Sequence, residues 1–291
     1  MSEKKKTVYF KRSKYRSSDF TENDLPLNRR RQFLDILKND WKTLLILGVI
    51  LFFVSIPYLA IDFVHWFIVF NLPNKLIADG GTVEDVVQAL KLTEILYETA
   101  LVPAVLLLAV PLAGSARVLK RLVHGEGVLF KDDFFQGVKM NVWQFLLLMF
   151  IYALLRFLTQ FMHIFFAGIP YVSDISYGVS LGLLYVFFVP ILIFMFAEAS
   201  IYKINFWMNL KNSYQLAVNS ILVMILFSSV IFGVYYMRYI NHPILRIGLD
   251  SLLILFSPLY LLAISLFTMS RFDKFINKDN YPEIYRKGLR P

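Results

Sequence analysis

The chain has 291 residues, of which 57% are hydrophobic, 16% aromatic and only 18% charged, and its mean hydropathy is +0.58. A soluble domain cannot cover that much apolar surface with polar groups, which excludes water as the solvent for most of the molecule. The absence of cysteine excludes disulfides, thiolate metal sites, thiol nucleophiles and a lipidated cysteine, while the net charge of +9 calls for a basic face somewhere on the protein.

Residues 1–27 read as a disordered basic cytosolic arm, because Lys4, Lys5, Lys6, Lys11, Arg12, Lys14 and Arg16 stand among serines and scattered aromatics too polar to build a core. A membrane domain follows over 28–270. Its apolar runs lie near 44–70, 95–116, 142–167, 179–201, 216–237 and 251–269, each close to the roughly 20 residues needed to cross about 30 Å of hydrocarbon. The first run is too long for the core of a cleaved signal peptide and reads as an uncleaved span. Residues 271–291 form a basic tail. The fold class expected is all-α, a polytopic transmembrane helix bundle of about six spans.

Three similar segments precede the first, third and fifth spans. Phe33 to Lys38, Phe134 to Lys139 and Phe206 to Lys211 each place an aromatic five positions before a lysine, with apolar residues one and four positions before it. At helical spacing those apolar positions share a face, so each segment can lie in the cytosolic interface with its lysine at the headgroups. Phe33, Lys38, Phe134, Phe135, Lys139, Phe206, Trp207 and Lys211 are therefore the candidate interfacial or partner-contacting residues. The pattern suggests three repeated helical hairpins, with the alternative that aromatics beside lysine arise at membrane interfaces without any duplication.

The loop after the first span carries Gly80, Gly81 and Thr82 with Asp85, a turn followed by a capping box. Val83, Val86, Val87 and Leu90 then form an apolar stripe that should lead helically into the second span. Between the second and third spans, Gly125 and Gly127 can end one helix, and Asp132 or Asp133 can cap the next, giving a compact cytosolic elbow. Of the 30 Lys and Arg, 25 fall on one side of this topology. Positive charge near span ends resists translocation, so both termini are placed in the cytosol of a bacterial cell, the chain being a multi-pass protein of the cytoplasmic membrane. The same basic face suits anionic lipid headgroups and gives no reason to invoke nucleic acid.

Ionisable residues inside apolar runs are costly and so are candidates for function. Arg156 stands near the middle of the third run, with Gln160 and His163 on the same helical face; Asp62 and His65 lie one turn apart in the first, and Glu98 opens the second. Either Asp62 or Glu98 can serve as the counter-ion of Arg156. These six residues define a polar cluster in the outer half of the bundle, read first as a buried ion pair that fixes packing and second as a substrate or proton site. Glu198 reads as an interfacial charge. No phosphate loop or zinc-protease motif occurs, and the four histidines are too scattered for a metal site, so neither a cofactor nor an enzyme is expected.

The run from Val102 through Pro111, Arg117, His124, Gly125 and Glu126, leading into Phe134-Phe135, Lys139 and Asn141, resembles the YesL-like family of small bacterial membrane proteins. The stretch from Pro190 through Phe206 to Lys211 and Asn212 is similar to that family's second such segment, and together they cover residues 102–219. The resemblance implies a helical membrane protein of undefined activity associated with carbohydrate uptake, with no catalytic residues to carry over; the long basic arm and the extended external loop depart from the pattern. The function expected is that of an accessory or regulatory protein bound to another membrane complex, with a small secondary transporter or channel centred on Arg156 as the alternative, and a lipid-organising role as a third.

Overall fold

The computed structural model describes residues 25–166, 169, 171–237, 240 and 242–290, so most of the arm expected over 1–27 lies outside the described residues. Helix α1 (Arg29–Asn39) starts where the Asn28 side chain accepts a hydrogen bond from the Arg31 amide at 3.0 Å. Helices α2 (Trp41–Val54) and α3 (Ile56–Ala78) follow, separated at Ser55. Pro57 has no N–H to offer the Phe53 carbonyl, which breaks the ladder at that turn. Helix α4 (Val83–Leu107) opens with the expected capping box between Thr82 and Asp85. It steps into α5 (Ala109–Val123) at Leu108, where Pro111 likewise leaves the Leu107 carbonyl unserved.

Helix α6 (Phe130–Phe165) runs unbroken for 36 residues. Helix α7 (Val172–Gly182) passes through a π-helical stretch (Leu183–Phe188) into α8 (Val189–Ile201), the widened turns lying just ahead of Pro190. Helix α9 (Phe206–Val218) meets α10 (Ile221–Tyr236) at 102°, and α11 (Pro243–Phe272) continues through a π turn (Asp273–Asn277) into the short α12 (Lys278–Asn280). Among the described residues, five helical segments are long and apolar enough to cross a membrane, or six if the bent α9–α10 pair is one span.

The three segments expected to lie as separate interfacial helices differ. The first is α1 and the third is α9, each set off by a break, whereas the second is simply the first turns of α6. Helix α3 packs on α4, α5 and α4 on α6, α8 on α9, and α11 closes the bundle against α2. That last contact requires Gly48, where a Cβ would lie 2.0 Å from the Leu255 carbonyl oxygen. The α5–α6 crossing is similarly close at Gly114 and Gly137, as membrane helices without a hydrophobic drive between them require.

The polarity of the bundle is inverted relative to a soluble one. On α3, Asp62 and His65 are buried while Phe63, Val64 and Phe67 are exposed; on α6, Arg156 and Gln160 are buried while Leu154, Leu158 and Phe161 are exposed. Charge inside and hydrocarbon outside is the arrangement that a lipid solvent imposes. The molecule is a multi-pass membrane protein.

Candidate functional site

At the end of the bundle remote from the chain ends, α3, α4, α6, α7, α10 and α11 bring their polar side chains inward. The Arg156 guanidinium lies 3.4 Å from a Glu98 carboxylate oxygen and sits over the Tyr235 ring, with Arg156 and Glu98 both buried. Of the two counter-ions open to Arg156 in the sequence, Glu98 is therefore the one in contact. Asp62 is taken by Arg246 of α11, and it also accepts a hydrogen bond from the Tyr97 hydroxyl at 2.8 Å. Asp250, one helical turn beyond Arg246, is buried as well, and its Oδ1 has no hydrogen-bond partner among the described residues.

His65 reaches Glu94 at 3.0 Å and stacks on Tyr97. Gln160 donates to the hydroxyls of both Tyr177 and Tyr235, and His163 stacks on Tyr177 with its Nδ1 3.2 Å from the Ser173 hydroxyl. All six expected residues are thus in polar contacts, but only Arg156 and Glu98 meet each other; Asp62, His65, Gln160 and His163 each find partners outside the six. Arg246 and Asp250, which sequence reasoning assigned to the fifth loop, are integral to the cluster. The signal for them was Pro243 after His242, a helix start eight residues earlier than the apolar run. No group of three or more His, Asp or Glu residues placed to hold a metal occurs among the described residues.

The opposite end carries both chain ends of the described structure, with the Arg290 amide bonded to the Pro26 carbonyl at 3.0 Å. The segment after α12 returns across α1 and the α5–α6 elbow. Arg29 pairs with Asp273 at 2.7 Å and donates to the Val123 and Lys287 carbonyls, while Gln32 donates to those of Val123 and Gly288. Gly288 has φ +82° and a Cβ there would lie 2.4 Å from the Val123 carbonyl oxygen, so only glycine fits. The elbow itself is stapled by Arg121 to Asp133 at 2.5 Å, and Asp133 also accepts from the Leu129 amide. Lys287 reaches Glu126 at 2.7 Å.

Burial pushes the His124 imidazole down to about 4, with Lys120 and Lys287 acting in the same direction. Burial raises the Glu126 carboxyl, but Lys287 and its other cationic neighbours carry it below its ordinary value. Of the candidate contacting residues, Lys38, Phe135, Lys139, Trp207 and Lys211 are exposed, and Phe33 and Phe206 are half-buried. Phe134 instead turns into the bundle, stacked on Phe130 and pressed against Gly114, because α6 continues past it as a buried face. Glu198 is fully buried rather than interfacial, close to Asn212 of α9.

The fold and the inverted polarity define the class, a helical multi-pass membrane protein with a charge-paired interior. The chain matches no family model, no curated protein and no solved structure.

Proposed function

We propose that the protein is a non-catalytic accessory or regulatory subunit of another complex in the bacterial cytoplasmic membrane, with both chain ends in the cytosol. The observation that carries this reading is the ordered platform at the end holding both termini, where α1, the α5–α6 elbow and the C-terminal segment are tied by Arg29, Gln32 and Gly288. Exposed Phe135 and Trp207, with Lys139 and Lys211, offer aromatic and cationic contact groups beside it. The remote ion pairs join α4 to α6 and α3 to α11 and act as a lock on the bundle. A carbohydrate transporter is the partner that the YesL-like resemblance implies, and anionic lipid headgroups complete the surroundings of the basic face.

Purification of the tagged protein from its own host in mild detergent, followed by mass spectrometry, tests the reading. Stoichiometric recovery of a membrane complex is the expected result; a partner-free protein overturns it. A second reading, a small secondary transporter or channel, draws on the orphaned Asp250 oxygen beside the Arg246–Asp62 pair, a place where a proton can be exchanged at membrane depth. Arg156→Leu should abolish uptake under that reading, and only lower bundle stability and yield under the first.

A further inference from the structure

A cavity of about 270 Å³ lies between α5, α6, α8, α10 and α11. Its wall is almost entirely hydrocarbon, and four of its five hydroxyls are engaged by main-chain carbonyls: Ser265 donates to Leu261, Thr268 to Ile264, Ser200 to Ala197 and Tyr260 to Phe227, which leaves that of Tyr152. The lining runs from Leu112 to Val123 on α5, from Val189 to Ile201 on α8 and from Tyr260 to Met269 on α11. At the helical rise those stretches are roughly 14–18 Å long, and one leaflet of hydrocarbon is about 15 Å deep. The cavity, starting from the platform end, is therefore about as long as one leaflet is deep.

Its platform end holds Lys120. The Lys120 ammonium meets the Ser200 and Ile201 carbonyls at 3.4 and 3.3 Å, and no carboxylate lies within ion-pair distance of it among the described residues. An ammonium has three N–H donors, so two carbonyls leave one unused. Arg117 and Lys287 add positive charge around it, and the nearest counter-charge, Glu126, is already engaged by Lys287. A cation at the mouth of a dry slot one leaflet deep has the polarity of an anionic amphiphile.

We propose that this cavity binds one hydrocarbon chain of a phosphate-headed anionic lipid of the adjacent leaflet, with the phosphate held by Lys120. The chain displaces nothing polar from the wall, and the charge-assisted bond at Lys120 selects the headgroup. The binding does not depend on whether the platform docks a partner.

The test uses the full-length protein reconstituted with equal amounts of phosphatidylglycerol and phosphatidylcholine, then extracted gently and weighed by native mass spectrometry. One phosphatidylglycerol per chain is expected in preference to phosphatidylcholine, unmoved by excess inorganic phosphate. Lys120→Ala should lower its retention about tenfold, and Ser265→Phe, which fills the slot and leaves the charge, should remove the tightly held lipid altogether. Thermal melting of each variant reports whether it is folded, and the wild-type preference decides the matter if one is not. Equal retention of the two lipids, displacement by phosphate, or undiminished retention in either folded variant overturns the proposal.

Discussion

The remote cluster and the platform both rest on arginine–carboxylate pairs, yet the charges meet different surroundings. Arg156–Glu98 and Arg246–Asp62 are contributed from helix interiors, are buried, and have tyrosines beside them. At the platform, Arg29 shares its guanidinium among Asp273, Gln32 and two carbonyls, and Lys287 meets Glu126 with more than a third of each side chain exposed. The first arrangement is all-or-none, because losing one member strands its partner in hydrocarbon; the second is graded, because water and neighbouring donors can substitute. A bundle locked at one end and adjustable at the other suits a subunit that binds through its adjustable end.

The largest effect should come from splitting a buried pair. Arg246→Leu leaves Asp62 uncompensated and should cost roughly 3–5 kcal/mol of stability, with Arg246→Leu combined with Asp62→Leu recovering most of the loss. Unfolding in detergent, followed by denaturant, measures both; a single variant as stable as the wild type would erase the distinction between the two ends.

Acid should loosen the platform. His124 titrates near 4 when folded and near 6.5 when released, so the loosened state binds more protons between those values and the platform weakens as pH falls from about 6.5 to 4. At 1.36 kcal/mol per unit, the loss reaches at most about 3 kcal/mol, and the depressed carboxyl of Glu126 adds to it in the same direction at the acid end. Hydrogen exchange over 281–290 at a series of pH values should show the change, and His124→Gln should flatten it.

Gly288→Ala places a side chain against the Val123 carbonyl and imposes a left-handed conformation on alanine, a loss of more than about 1 kcal/mol. Proteolysis of the C-terminal segment should accelerate while the transmembrane helices keep their protection. The smallest effect is expected for Lys287→Ala, whose half-exposed pair with Glu126 should contribute no more than about 1 kcal/mol; a larger loss on denaturant unfolding in detergent would mean that the platform is less adjustable than its exposure implies.

Much of the architecture was legible because a charge in an apolar run is conspicuous. Arg156, Asp62 and Glu98 stand out for that reason, and the all-helical bundle follows from the length of the runs. Which carboxylate meets Arg156 was not legible, since it depends on the rotation of α3 and α4 about their axes, something that periodicity leaves free. Arg246 and Asp250 were missed because they precede the apolar run of α11, in a stretch where hydropathy resembles a loop. The tail from residue 271 reads only as basic, because of its lysines and arginines. Its order comes mainly from main-chain carbonyls and from the single left-handed turn at Gly288, neither of which leaves a mark in composition.

Site-directed photo-crosslinking in the native host would test the division of labour between the two ends most directly. A photoreactive side chain at Trp207 or Phe135, exposed beside the platform, should capture one membrane protein in defined yield, while the same group at Val83, exposed at the remote end, should capture only lipid. A protein crosslink at Val83 with none at Trp207 or Phe135 would contradict the account and move the binding surface to the opposite side of the membrane.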